Sequence, residues 1–287
     1  MLERASKFRL SSSAFERADD TDKVLPKKMI FLSVEGDETE RTYFEHLNEF
    51  LDLSLIQIEV LRHKRGDGYS DPEHVIELLD EYINVRNGEL VPDSLMKTLY
   101  EKYTSEDLQK YLSEDITLNL SLRKAIKAEL LKIGIDFEYR YYLQSFDKET
   151  DYFAIVLDRD CGNHDRQLLE ECIQFCSKKN YGCFITNPCF EFWLLLHLCD
   201  VAKEFTPEEQ NKLLVNAVVS NKHTETSLAV SKRAHHTKAI CSSKFKQYYY
   251  SNIKLAIQRS KTFATEFPEL LDNLGSNLSE LFKEFNF

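Results

Sequence analysis

Four short runs along this chain are apolar almost without interruption: MIFLSVE (29–35), LIQIEVL (55–61), YFAIVL (152–157) and CFIT (183–186). Runs that barely alternate suit strands whose sheet is covered on both faces, as in a parallel sheet. The segments that follow them have helical period. Tyr43, Phe44, Leu47, Phe50 and Leu51 form one stripe, Val75, Ile76, Leu79 and Tyr82 a second, and Leu168, Leu169, Cys172, Phe175 and Cys176 a third. Asp71-Pro72 and Asn187-Pro188 read as helix caps with proline at the first helical position, the second opening the helix CFEFWLLLHL. The resulting β-α-β-α order predicts an α/β fold, a Rossmann-like, mostly parallel sheet with flanking helices. On this reading residues 1–28 are a polar N-terminal arm. The core is discontinuous, 29–86 and 151–200, and 87–150 is a mainly helical insertion containing the strand-like FEYRYYLQ (137–144). Residues 201–287 form a basic helical C-terminal region that ends in the amphipathic NLSELFKEFNF.

Composition narrows the class without changing that layout. A hydrophobic fraction of 43% and a charged fraction of 30% over 287 residues are those of a soluble globular protein. The longest apolar stretch, FWLLLHLC (192–199), is far too short to span a membrane, and MLERASKFRLSSS has no apolar core of a signal peptide. A cytoplasmic protein with no membrane partner is expected. Its cysteines, with no CxxC among them, read as buried reduced thiols rather than a zinc site, since Cys161, Cys172 and Cys176 lack ligand spacing.

The net charge of −11 at first argues against a nucleic-acid partner. Its distribution reverses that. Residues 220–261 hold nine Lys/Arg against the single acid Glu225, a local +8 that leaves −19 on the rest. A basic segment on an acidic body is the footprint of a protein that holds a polyanion at one place. The competing reading is a solvated helical face that balances an acidic partner.

The residues that promise chemistry are acids at strand ends. In a parallel α/β sheet, ligands bind beyond the carboxyl ends of the strands. Glu35 ends the first strand, Asp158 ends the third, Asp160 follows in the loop, and Glu191 falls in the first turns of the helix after the fourth. All four are expected at one edge. Crowded carboxylates repel each other unless a cation neutralises them, and hard oxygen donors suit Mg²⁺ or Mn²⁺ with substrate phosphates completing the shell. Such an ion stabilises charge developing in displacement at phosphorus. Glu191 could equally be a helix-dipole glutamate, and Glu40 a helix-surface one. Thr39 could cap the first helix or touch phosphate, and Asn187 is a further candidate beside them.

These residues also sit in blocks that resemble a known family. Glu35-Gly36 with a later Asp158-Arg159-Asp160 is similar to the Toprim signature of topoisomerases, primases and OLD-type nucleases. VEGDETERTYF resembles the EGxxTExxYF block of the RloB-like branch, and VLDRD its acidic strand. TNPCFEFWLLLHL resembles its NPxFExWLLLHF block, and GSNLSEL (275–281) its C-terminal GTNVxxLV. The similarity runs from about residue 27 to the end, broken over 87–150, and Glu35 and Asp158 lie much further apart than in a compact Toprim domain. The resemblance implies a Toprim fold and a metal-dependent nuclease of DNA or RNA, tRNA included, with Glu35, Asp158 and Asp160 as catalytic metal ligands and Glu191 beside them. It further implies an antiphage or abortive-infection effector, silent until a companion ABC-type or OLD-type ATPase releases it; a homo-oligomer is allowed for.

A grip on the nucleic-acid backbone is expected from Arg62, Lys64 and Arg65, in the loop after the second strand, and from Lys232, Arg233, Lys238, Lys244 and Lys246. Tyr248–Tyr250 are candidates to stack on bases. Arg159, His164, Lys222, Lys238 and Lys244 are available as the cation near the developing charge. Two other classes compete. In a phosphatase of the haloacid dehalogenase type the first Asp of a DxD is the nucleophile, but there the motif follows the first strand and continues with Thr or Val, whereas Cys161-Gly162 follows here. A non-catalytic module regulating a partner ATPase would survive loss of all three acids.

Overall fold

The computed structural model describes residues 27–36, 38–52, 55–60, 72–73, 75–76, 99, 101–112, 117–132, 151–160, 164–221, 223–235, 240–285 and 287. The expected strand at 137–144, the cap at Asp71, nearly all of the polar arm, and Arg62, Lys64, Arg65 and Lys238 lie outside the described residues. The chain divides into two compact units. The larger gathers Pro26–Leu61, Tyr69–Leu79 and Thr150–Phe287, the smaller Met1–Leu25, Arg62–Gly68 and Asp80–Glu149.

In the smaller unit the described residues are mostly helical. Helices Ser105–Leu112 and Leu120–Lys132 close on Leu99, Leu108, Leu118 and Ile126. Thr104 accepts from the Asp107 amide (3.1 Å), and Asn119 accepts from the amides of Ser121 and Leu122 (2.8 and 3.3 Å). Both side chains thus satisfy amides that a first helical turn leaves without a partner.

The larger unit is built on β1 (Lys28–Val34), β2 (Ile56–Val60), β3 (Tyr152–Asp158) and β4 (Gly182–Asn187), all parallel, in the order β2-β1-β3-β4. The sheet is covered on both faces, as the unbroken apolar runs require. Ile30, Leu32, Val34, Ala154, Val156 and Phe184 enter the main core, which α1 (Thr39–Asn48) joins through Tyr43, Phe44 and Leu47. The alternate residues Phe31 and Phe153 stack at 5.0 Å, and α2 (Arg166–Lys179) packs on β4 with Leu169, Cys172 and Cys176 buried. This is an α/β, Rossmann-like, mostly parallel sheet flanked by helices. Among the described residues no helix is long and apolar enough to cross a membrane.

The central helix is α3 (Phe190–Leu198). It is apolar on every side, and a helix of that kind must be buried all round. The core encloses Phe190, Phe192–Leu196 and His197, with α5 (Glu225–Ala234) and α6 (Ile253–Ser260) packed on it beyond α4 (Pro207–Val215). Its one polar core residue is fully partnered. The His197 Nδ1 faces the Trp193 carbonyl at 2.9 Å and so carries the hydrogen, which leaves Nε2 to accept from the Tyr43 hydroxyl at 3.0 Å. The Trp193 indole in turn donates to the Tyr43 oxygen at 3.3 Å. Arg259 closes the far end by donating to the carbonyls of Leu196 and His197 (2.7 and 3.1 Å).

Two expectations need correction. Asn187 does not cap α3: it is the last residue of β4, Cys189 holds the N-cap position, and the Asn187 amide donates to the Leu270 carbonyl at 2.8 Å. The chain beyond Asp200 is also not wholly helical. It contains the hairpin strands β5 (Val218–Ser220) and β6 (His223–Thr224), and β7 (Gly275–Ser276), which adds antiparallel to β4. Strands of two or three residues are too short to leave a period in the sequence. The β7 edge is instead completed by a side chain, because Asn277 accepts from the Ile185 amide (2.7 Å) and donates to the Cys183 carbonyl (3.1 Å).

Gly275 makes that edge possible. A Cβ there would lie 2.0 Å from the Ala264 carbonyl oxygen, which accepts from the Ser276 amide at 3.0 Å. The obstacle is main chain and cannot swing aside. Gly275→Ala should therefore destabilise the chain by about 1–3 kcal/mol, the usual cost of overpacking, as read by denaturant unfolding. A variant as stable as the parent would show that β7 is not held in this register.

Candidate active site

The carboxyl ends of β1 and β3 place the acids. β1 and β3 run in register, Val34 opposite Val156, so the chain leaves both strands at the same level. The Glu35 amide donates to the Val156 carbonyl (3.1 Å), while the Glu35 carboxylate accepts from the Asp158 amide through Oε2 (2.9 Å). Asp158 faces the other way along the rim: its Oδ1 accepts from the Phe190 amide at 2.8 Å, at the N-terminus of α3, where a helix favours negative charge.

The loop after β3 turns back under control of main-chain bonds. Arg159 donates its amide to the Thr186 carbonyl and Asp160 its amide to the Pro188 carbonyl, both at 2.9 Å. Asp160 sits at φ 28°, a left-handed conformation that costs most side chains energy and that Asp and Asn tolerate best. This turn delivers His164, whose amide donates to the Asp160 carbonyl at 2.9 Å. The His164 ring lies between the two key acids. Its Nδ1 meets the Asp158 carbonyl at 3.1 Å and must donate, and its Nε2 is 3.5 Å from Glu35 Oε1.

Glu40 and Glu191 enter from the first turns of α1 and α3. The Glu40 carboxylate lies directly over Gly36, where a Cβ would come within 1.9 Å of its Oε2. That explains the Glu-Gly pair: the glycine leaves room for a buried acid from the next turn. Burial first, and then the charges of Glu35, Glu40 and Glu191, push the Asp158 carboxyl well above the ordinary carboxylate range, against the opposing Phe190 amide. Burial and then the charge of Glu191 also push up the Cys189 thiol and the Tyr249 hydroxyl.

Four acids thus share one poorly solvated neighbourhood, and their oxygen donors fit a hard divalent cation. Among the described residues no three His, Cys, Asp or Glu side chains are already arranged as a metal cage. Mg²⁺ does not require one. It keeps several waters and takes one or two carboxylates together with substrate oxygens.

The other expected site residues are placed as follows. Thr39 is the buried first residue of α1, whose N-cap is Glu38, and makes no side-chain cap. Lys232 and Lys246 are exposed, and Lys244 donates to the His235 carbonyl. Arg233 lies over the Phe205 ring at 5.0 Å, with Glu204 3.7 Å away. Two of the three tyrosines do not await bases: Tyr249 is fully buried and Tyr250 is stacked on Phe50 at 4.4 Å, while Tyr248 is half-buried against the core. Aromatic side chains beside an apolar sheet face bury there in preference to standing in water. Composition singled out His164 and Arg159 only as free cations. The structure ties both to main-chain carbonyls of the acid-bearing loop, with Arg159 buried.

A family model described as RloB-like protein matches residues 30–285. No curated protein and no solved structure matches the chain. Spanning both acidic blocks and the C-terminal strand, the match shows that the chain belongs to the RloB-like family.

Proposed function

We propose that the acidic rim is the active site of a divalent-metal-dependent nuclease that hydrolyses phosphodiester bonds in DNA or RNA, tRNA included. The observation that carries this reading is the Asp158 carboxylate, held by the Phe190 amide at a helix N-terminus beside the Glu35 carboxylate, where burial first and then Glu35, Glu40 and Glu191 raise its proton affinity. Uncompensated acid crowding is costly, and the account of it is a cation shared with a phosphate group. Glu35 and Asp158 would hold Mg²⁺ or Mn²⁺ directly, with Asp160, Glu191 and Glu40 as further acids around them. The bound ion would supply Lewis-acid stabilisation of charge on the phosphate oxygens. The Asp158 amide keeps the Glu35 carboxylate turned toward Asp158, and the Phe190 amide fixes the Asp158 carboxylate. The exposed Lys232 and Lys246, with Lys244, would contact the polyanion's backbone. Family membership supports the further proposal of an antiphage or abortive-infection effector paired with an ABC-type or OLD-type ATPase.

The test is cleavage of DNA, tRNA and total RNA with Mg²⁺ or Mn²⁺, with and without the companion ATPase. Metal-dependent strand scission in at least one arm is expected. Turnover of small phosphomonoesters through a phosphoaspartate, with polymers untouched, would replace the nuclease reading by a phosphatase.

A further inference from the structure

The middle residue of the Asp158-Arg159-Asp160 motif is spent on the protein itself. Arg159 is buried, its Nε donates to the Leu271 carbonyl at 2.8 Å and its Nη1 to the His164 carbonyl at 2.9 Å. Twenty-eight residues along the chain, Asn187 donates to the neighbouring Leu270 carbonyl at 2.8 Å. Two side chains from the ends of β3 and β4 therefore grip adjacent carbonyls of one C-terminal turn, Phe267–Leu270 and its exit. The same turn carries Asp272, which pairs with Arg166 at the start of α2.

Two features beside the grip cost stability. Asn187 is fully buried and its Oδ1 has no hydrogen-bond partner among the described residues, a condition that costs about 1–3 kcal/mol. Flipping the amide would set that oxygen against the Leu270 carbonyl, which is worse. Asp160, whose amide donates to the carbonyl of the very next residue, Pro188, adds the cost of its left-handed backbone. Unfavourable features of this kind persist where the surroundings fix a geometry that function needs.

Resting on the metal-site reading above, we propose that Arg159 and Asn187 are positioning residues. They lock the loop that bears Asp158, Asp160 and His164 against the Leu270–Leu271 carbonyls, and so set the spacing in which the acidic rim takes a divalent cation. Neither touches substrate. The contact runs from the C-terminal turn through Arg159 to the His164 carbonyl, and through the His164 Nδ1 to the Asp158 carbonyl. Lysine cannot substitute, because a single ammonium does not offer the planar fork that spans two carbonyls.

The experiment is a calorimetric Mn²⁺ titration of the full chain, with Tm measured alongside, for the parent, Arg159→Lys, Asn187→Ala and Arg166→Ala. Arg159→Lys should weaken Mn²⁺ binding about tenfold, the lower end of the loss seen when groups behind metal ligands are removed. Asn187→Ala, which also strips the Leu270 carbonyl of its donor, should weaken binding by more than its fall in Tm accounts for. An affinity loss out of proportion to the Tm change is what a merely structural residue does not give. Arg166→Ala, which removes an exposed contact to the same turn, should bind Mn²⁺ like the parent. Parent-like affinity in both Arg159→Lys and Asn187→Ala overturns the inference, as does an affinity loss that only follows falling Tm. Failure of the parent chain to bind Mn²⁺ at all instead removes the metal-site reading, and the inference with it.

Discussion

Glu35→Ala, Asp158→Asn and Asp160→Asn should each lower metal-dependent cleavage by about a thousandfold or more while the chain stays folded. Several kcal/mol of transition-state stabilisation come from a catalytic metal, and each 1.4 kcal/mol is about tenfold in rate. The substitutions are chosen to separate chemistry from folding. Asp158→Asn keeps an oxygen for the Phe190 amide but removes the charge that Glu35, Glu40 and Glu191 oppose. The metal-free variant should therefore melt at the parent's temperature or above it. Asparagine replaces Asp160 because it tolerates the φ of 28° that alanine would resist. Loss of activity with retained or increased Tm is the expected pair of results. Near-parental cleavage by any two of the variants would leave the acids without a catalytic role.

A second large effect should appear on acidification, in the core. Burial, with the nearby Arg259 charge, pushes the pKa of His197 down from 6.5 to about 3 against the opposing Trp193 carbonyl. The folded chain holds His197 neutral, whereas the unfolded chain protonates it below about pH 6.5. Stability from this residue is therefore complete above pH 6.5 and falls through the window down to about pH 3. The slope is about 1.4 kcal/mol per pH unit, so roughly 3 kcal/mol is lost by pH 4. His197→Gln cannot take up the proton. The stability gap between parent and variant, measured by urea unfolding at pH 7 and pH 4, should narrow by about that amount. An unchanged gap would mean that His197 is not held neutral. Since Tyr43 and Trp193 fasten α1 to α3, and these helices carry Glu40 and Glu191, the same network ties the acids to the core.

The sheet could be read from the sequence because burial on both faces writes itself into composition. Each expected parallel strand falls within one or two residues of its observed span. The meeting of Glu35 and Asp158 was legible for a related reason: parallel strands bring their carboxyl ends to one edge, whatever lies between them in the chain. What was not legible depends on loops and on single side chains. His164 reaches Glu35 only because Asp160 adopts a left-handed turn, and nothing periodic marks a histidine six residues after a strand. Arg159 and Arg259 count as free charge in any tally of basic residues, yet both donate to main-chain carbonyls. Asn187-Pro188 imitates a helix start, but β4 runs on through Asn187 because β7 pairs with it there. The strand β7 itself is two residues long, and its continuation by the Asn277 amide leaves no pattern that a scan for alternation would find.

The central claim is that these acids bind a divalent cation, and the most direct measurement is anomalous diffraction from crystals of the chain soaked in Mn²⁺. The account predicts an anomalous peak within coordination distance, about 2.1–2.2 Å, of Asp158 and Glu35 oxygens, absent in crystals of Asp158→Asn. A peak held only by other residues, or one of equal height in the variant, would contradict it.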